Sequence, residues 1–134
     1  MNLPALALSL PLVFMLHDFE ELIGFQPWLR ANRAALLQRF PRLAPRLVAQ
    51  LERMLGAPLA CSIFLIFLLL TLLSCYAALC GDYRLWYGAL AVFTAHLLVH
   101  LLQWALWRRY IPCIITSLLA LPYGIWALAQ DFPL

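Results

Sequence analysis

The stretch from Ala57 to Cys80 constrains the fold more than any other part of the chain. It contains no charged side chain and nothing more polar than Ser62, Thr71 and Ser74. A helix that crosses a bilayer needs about 20 mostly apolar residues. Soluble sandwiches and βαβ folds instead need short strands separated by turn residues. The stretch therefore predicts a transmembrane helix and excludes those soluble folds.

Three further windows are long and apolar enough to cross a membrane, namely Leu3 to Phe25, Leu85 to Trp107 and Ile111 to Gln130. Of the 134 residues, 66% are hydrophobic and 11% are charged, whereas soluble domains are about half apolar and about a quarter charged. So few charges also exclude the basic surface of a nucleic-acid-binding protein. We expect a single domain over residues 1–134, an all-α integral membrane four-helix bundle.

The arginines predict the orientation of this bundle. All nine basic residues are arginine, and eight of them lie in the connections between the first and second windows and between the third and fourth. Short loops rich in arginine stay cytoplasmic, so both termini are expected outside, in a multi-pass membrane protein. Pro45 opens an expected helix along the headgroups within the long cytoplasmic loop. The arginines of the two connections are Arg30, Arg33, Arg39, Arg42, Arg46, Arg53, Arg108 and Arg109.

Four ionisable residues, His17, Asp18, Glu20 and Glu21, end the first window. An acid at the centre of a membrane helix costs roughly 2.5–3.5 kcal/mol, so such groups usually pair, line a cavity or bind something. At about 100° per residue, His17, Glu20 and Glu21 share one helix face. We expect Asp18 to point elsewhere.

The third window supplies a matching pair, His96 and His100, whose spacing of four residues lets both imidazoles reach one point. Gln103 continues the same stripe. At roughly 1.5 Å per residue, these groups and those of the first window lie about 6–16 Å from the cytoplasmic helix ends. They therefore form one layer near the cytoplasmic leaflet.

Three imidazoles with one or two carboxylates have the composition of a site for one divalent transition metal, with zinc favoured and iron the other candidate. We assign the imidazole ligands to His17, His96 and His100. Glu21 or Glu20 supplies the carboxylate ligand, and the other acts as the catalytic proton shuttle. Cys113 is a minor ligand candidate. A structural ion pair between helices, or a proton or ion path, would use the same residue types.

The residues around the fourth window suggest how a substrate would be held. Arg108, Arg109, Tyr110 and Thr116, with Gln103, are candidates for binding an anionic or carbonyl-bearing group. Tyrosine near a helix end is also typical of an interfacial anchor, and arginine in a loop of a topology anchor. The surrounding walls are rich in leucine, phenylalanine and tryptophan. We therefore expect membrane lipid and a lipophilic or anionic small molecule as partners, and no nucleic acid.

These motifs resemble the HXXEE family of small bacterial membrane proteins with four predicted helices. The resemblance lies in the segment His17 to Glu21, in His96 and His100, and in the run from Arg109 to Thr116. Family members tend to carry glycine where this chain has Cys113. The resemblance implies the four-helix architecture, a location in the bacterial inner membrane and an enzymatic site, without an assigned reaction.

The sequence thus predicts an intramembrane metalloenzyme that carries out hydrolysis or group transfer on a lipophilic or membrane-delivered substrate. Two alternatives stay open: a metal or proton transporter subunit or sensor, and an iron-dependent membrane oxidase. A path through the membrane would need several copies of the chain, because the first half of the first window and all of the second are almost wholly apolar. Homo-oligomers are therefore open as well.

Overall fold

A computed structural model describes residues 2–131 of the chain, and within them it contains five α-helices and no strand. The prediction of an all-α fold is confirmed. Met1 and residues 132–134, which the single-domain prediction includes, lie outside the described residues. The helices are α1 (Leu3–Arg39), α2 (Ala44–Met54), α3 (Ala57–Cys80), α4 (Arg84–Trp107) and α5 (Ile114–Leu128).

Proline and glycine mark where the helices begin and end. Helices α1, α2 and α3 each carry proline in the first turn, where its missing N–H costs nothing. Gly56 precedes α3 with a φ of 81°, and Gly81 ends it with a φ of 73°. Both angles favour glycine, so the bounds of α3 follow from the local sequence and coincide with those of the second predicted window.

Helix α1 differs from the prediction. The first window was expected to end at Phe25 and to be followed by an arginine-rich loop, but α1 continues without a break to Arg39. Leucine, alanine, glutamine and arginine in this segment favour helix. Leu29 is buried, and Arg39 donates hydrogen bonds to the carbonyls of Leu106 and Trp107. The extension is therefore held by packing and by the free carbonyls at the end of α4.

Helices α1 and α4 run in the same direction. The indole N–H of Trp86, near the start of α4, donates to the Ala7 carbonyl at 3.0 Å. Further along, the rings of Phe14 and Phe93 lie 6.0 Å apart. The indole of Trp107, at the end of α4, lies against Trp28 of α1. Successive residues of the two helices thus pair in the same order.

Helix α5 runs antiparallel to α1. The hydroxyl groups of Ser9 and Tyr123 lie 2.9 Å apart, whereas Trp28, much later in α1, donates to the carbonyl of Tyr110, before α5 begins. The beginning of α5 therefore lies at the same level as the middle of α1. This placement brings the predicted site residues of three helices together.

Two helices, α3 and α4, are long and apolar enough to cross a membrane, and α5 is apolar but shorter. Only 22% of the most apolar window of α3 is buried inside the protein. Its leucines point outward, with Leu79 86% exposed and Leu65 63% exposed. An apolar surface of this extent marks contact with a membrane or a partner.

Close packing of α4 on α5 depends on Gly124. A Cβ added there would lie 2.5 Å from Oγ1 of Thr94, so Gly124→Ala should lower the free energy of unfolding by about 1–3 kcal/mol through overpacking. Gly88→Ala in α4 is the matched control, because its Cβ would meet nothing within 4 Å. Thermal unfolding in detergent measures both, and Thr94→Ala should partly restore the Gly124→Ala protein. Equal melting temperatures for the two glycine variants would contradict the packing.

Candidate metal centre

All three histidines of the chain meet between α1 and α4. The ring of His17 lies 5.4 Å from that of His96 and 5.1 Å from that of His100, centroid to centroid. The rings of His96 and His100 are 4.5 Å apart. His17 is fully buried and His100 nearly so, whereas His96 is exposed. Because α1 and α4 are parallel, residues 17 and 96–100 fall at the same level.

The start of α5 closes one side of this cluster. Cys113 precedes the helix and has a φ of 73°, in the left-handed region. A residue with a side chain pays roughly 1–2 kcal/mol to adopt this conformation. Pro112 packs against Gly24 of α1, where an added Cβ would lie 3.3 Å from the proline Cβ. The glycine thus lets the turn approach α1 closely, and Cys113 is fully buried.

Glu20 is held by the same turn. Its Oε2 accepts hydrogen bonds from the backbone N–H of Thr116 at 2.9 Å and from the Thr116 hydroxyl at 2.7 Å. Its Oε1 accepts from the hydroxyl of Tyr110 at 2.9 Å. Burial and this hydrogen bond raise the pKa of Tyr110, which lies in the turn between α4 and α5, to about 12. Three donors therefore fix one carboxylate at the first turn of α5.

Thr116 also determines which nitrogen of His17 carries a proton. Its hydroxyl lies 3.0 Å from Nδ1 of His17. Because the only hydroxyl proton goes to the Glu20 carboxylate, the oxygen accepts a hydrogen bond from Nδ1–H. Neutral His17 then presents a lone pair on Nε2, and this buried atom has no hydrogen-bond partner among the described residues. Histidines that bind a metal typically donate their other ring N–H to a neighbouring acceptor, and the Thr116 hydroxyl is that acceptor here.

His100 is oriented in a similar manner. Its Nδ1 lies 3.1 Å from Oε1 of Gln103, an acceptor, so Nδ1 donates and Nε2 carries the lone pair. That Nε2 lies 3.0 Å from Nε2 of His96. Gln103 also lines a cavity of about 350 Å³ between α1, α2, the end of α4 and the turn before α5. The contact of Gln103 with His100 makes it a positioning residue for the imidazole.

Within residues 2–131, three groups of side chains have ligand atoms within 4.8 Å of one another and could hold a metal ion. Each group contains at least one of the three histidines. The groups combine His17, His100 and Cys113; His17, Asp18 and His96; and Glu21, His96 and His100.

A family described as a protein of unknown function with an HXXEE motif matches residues 8–127. The chain belongs to the HXXEE family. The motif consists of His17, Glu20 and Glu21, and the resemblance noted in the sequence is thereby confirmed. No curated protein and no solved structure matches the chain.

The two glutamates of the HXXEE motif lie close to different helices. Glu20 binds the first turn of α5, whereas a carboxylate oxygen of Glu21 lies within ligand distance of His96 and His100 of α4. The sequence predicts one shared face, but adjacent residues lie about 100° apart around the axis. Helix α1 contacts α4 and α5 simultaneously, so each glutamate meets a different neighbour.

The prediction that Asp18 of the HXXEE segment points away from the site is wrong. Asp18 is only 4% exposed, and its carboxylate lies within 4.8 Å of ligand atoms of His17 and His96. The helical wheel correctly separates it from His17. The wheel does not show that other helices surround α1 over a wide arc. Asp18, about 100° around the axis from His17, therefore still lies close to His96 of α4.

The residues predicted to bind substrate divide into two sets. Tyr110 and Thr116 contact Glu20, whereas Arg108 and Arg109 are exposed. Within residues 2–131, neither arginine has a hydrogen bond or an ion pair to the centre. Arg108 has a φ of 57° and ends α4, so its backbone serves the turn, and substrate binding by this pair stays a prediction.

Two contributions were underestimated or missed in the sequence. The sequence makes Cys113 only a minor ligand candidate, although its position three residues before Thr116 places it in the same turn. Arg39 was counted only as a topology arginine, yet it binds the last carbonyls of α4. Neither contact is visible without knowing that α1 continues beside the turn after α4.

The hydroxyl group of Thr116 should contribute more to stability and to the His17 tautomer than the volume of its side chain does. Thr116→Val removes the donor to Glu20 and the acceptor for His17, so we expect a loss of about 1–3 kcal/mol in the free energy of unfolding. The Nδ1–H tautomer of His17, observed by ¹⁵N NMR of labelled protein, should also lose its dominance. Thr116→Ser keeps the hydroxyl and should preserve both properties. An unchanged His17 spectrum in Thr116→Val would contradict the tautomer assignment.

Proposed function

We propose that this HXXEE protein is an integral membrane metalloenzyme that binds one divalent transition metal ion between α1, α4 and α5. The observation that carries the proposal is the convergence of every histidine in the chain with Glu21 at one level of the helices. Imidazole and carboxylate together are ligands of zinc and iron. One or two hydrogen bonds between side chains are enough to hold two membrane helices together. The cluster contains more polar groups than helix packing alone requires.

The exposed surface and the arginines support a membrane setting. Helices α3 and α4 have the length and apolar composition of membrane spans. The parallel α1 and α4 and the antiparallel α5 place both arginine-rich connections at one end, as expected of a cytoplasmic side. In this proposal four helices cross the bilayer, α2 lies along the headgroups, and the centre lies nearer the cytoplasmic leaflet.

An apolar groove gives a route for the substrate. It has a volume of about 790 Å³ and is lined by apolar α1 side chains from Leu12 to Ile23, with Glu20 and Tyr110 as its polar groups. A lipophilic substrate fits these walls and would present its polar group to Glu20. The carboxylate is connected through Thr116 to His17.

The site offers a place for a metal ion and a separate carboxylate for proton transfer, which is what hydrolysis or group transfer needs. A bound zinc ion supplies acidity, since three protein ligands and an open position lower the pKa of a bound water to about 7. Glu21 is the carboxylate that lies beside the histidines and faces the bound ion. Glu20, held at a fixed position by Tyr110 and Thr116, accepts and returns the proton at the groove.

A second candidate function rests on the group Glu21, His96 and His100. Two histidines and one carboxylate with open positions are the ligand set of non-haem iron oxygenases. In that case the groove would deliver a lipophilic substrate for oxidation. The identity of the metal separates the two functions.

The protein purified in detergent should contain about one metal ion per chain by elemental analysis. His17→Ala should lose most of it, since it removes an imidazole ligand, and His96→Ala should weaken its binding, since it removes the imidazole that contacts His100. Stoichiometric zinc supports hydrolysis or transfer, whereas iron with a paramagnetic or visible signature supports oxidation.

Glu21→Gln and Glu52→Gln form the matched pair for this experiment. Glu21 lies among the histidines, whereas Glu52 pairs with Arg33 on the exposed side of α1 and α2. The first change should weaken metal binding and the second should leave it intact. The proposal would be overturned if the wild-type protein is folded but contains no metal, both as purified and after reloading with zinc or iron.

The membrane topology can be tested with an impermeant thiol reagent in oriented vesicles. Gln50→Cys and Arg84→Cys are introduced one at a time into a protein without Cys61, Cys75 and Cys80, while the fully buried Cys113 is kept. Gln50 should react only from the cytoplasmic side and Arg84 only from the outside. Reaction of both from one side would contradict four crossing helices.

A further inference from the structure

The centre contains one polar atom that the fold leaves unsatisfied. Nε2 of His17 is buried and has no hydrogen-bond partner among the described residues, although Nδ1 of the same ring is bound to Thr116. A buried acceptor without a partner is costly. The atom is therefore oriented toward something that binds a nitrogen lone pair.

The groups close to the His17 ring include a thiol. Sγ of Cys113, Nε2 or Nδ1 of His17 and a ring nitrogen of His100 lie within 4.8 Å of one another, and all three residues are buried. Ligand atoms of one tetrahedral zinc ion are roughly 3.3–3.6 Å apart. Binding of zinc would draw the three atoms together to that spacing.

The backbone holds the thiol in this position. Cys113 keeps a left-handed φ of 73° that glycine would adopt without cost. Its carbonyl accepts the first hydrogen bond of α5 from the Ser117 N–H at 2.8 Å. The backbone that carries the thiol is therefore fixed by the start of α5 and is not part of an exposed loop.

We propose that Cys113 is a thiolate ligand of the metal ion, together with His17 and His100. The inference rests on the proposed metal centre and specifies its inner ligand set and its metal. Cys113 loses its S–H proton to solvent when the metal–sulfur bond forms. Thiolate with two imidazoles selects a thiophilic ion, zinc, over the iron expected for a set of histidine and carboxylate alone.

This ligand set leaves a fourth position for water or substrate. His96 and Glu21 lie beside His100 and are more exposed than His17 and Cys113. The open position therefore faces the exposed side of the cluster, where His96 and Glu21 can contact the bound group. A closed structural zinc site would instead use four protein ligands.

Cobalt substitution tests the thiolate directly. The full-length protein in detergent is stripped of metal and loaded with Co²⁺, and absorption spectra are recorded. A near-ultraviolet sulfur-to-cobalt charge-transfer band should appear with one equivalent of Co²⁺ and disappear on addition of Zn²⁺. Cys113→Ser should lose the band and bind Co²⁺ at least 10-fold more weakly, with visible d–d bands that show the remaining ligands.

The other three cysteines provide the control, since a protein with Cys61, Cys75 and Cys80 all changed to serine should keep the band. Cys113→Gly suits the left-handed backbone and supplies a folded variant without the thiol even where serine is poorly tolerated. Bound Co²⁺ without a charge-transfer band would remove Cys113 as a ligand while the metal centre stands. Failure to bind Co²⁺ or Zn²⁺ at all would overturn the centre itself.

Discussion

The hydroxyl of Thr116 links the two polar parts of an otherwise apolar helix assembly. It donates to Glu20 at 2.7 Å and accepts from Nδ1 of His17 at 3.0 Å. One small side chain thus binds the carboxylate of α1 to α5 and sets the tautomer of the central histidine. Without it, Nδ1 of the buried His17 would lose its partner and Glu20 would lose one of its three donors, and a polar network that is only partly satisfied is worse than none. The position of α5 and the chemistry of His17 depend on the same oxygen atom.

The common direction of α1 and α4 brings the HXXEE motif to the histidine pair. Motifs separated by about eighty residues meet because Trp86 binds the Ala7 carbonyl at one end and Trp107 packs on Trp28 further along. Two parallel neighbours require that an odd number of crossings separates them, which α3 supplies. The antiparallel α5 then returns its first turn, with Thr116, to the level of Glu20. The connectivity therefore places three separate motifs in one layer.

Much of this could be predicted from residue patterns, and the failures have a common cause. The apolar run from Ala57 to Cys80 ends at Gly81 in both the sequence and the structure, because composition and a glycine turn act locally. The end of α1 was missed because Arg39 is fixed by carbonyls of α4, a contact between distant segments. Asp18 was misplaced for a similar reason, since a helical wheel contains no neighbours. Local signals predict elements, but the ligand set depends on which helices surround α1.

The charge of the cluster argues that a cation completes it. Asp18 and Glu21 contribute two carboxylates beside the imidazoles, and Glu20 contributes a third that is held by neutral donors. In the part of the chain that the structure describes, the ion pairs involve Arg33 and Arg84, both exposed and away from the histidines. No arginine therefore neutralises the acids at the centre. Uncompensated charge in apolar surroundings is expensive, so these acids either keep their protons or release them when a cation binds, and a divalent ion bound by imidazole and carboxylate would provide the balancing charge where the helices meet.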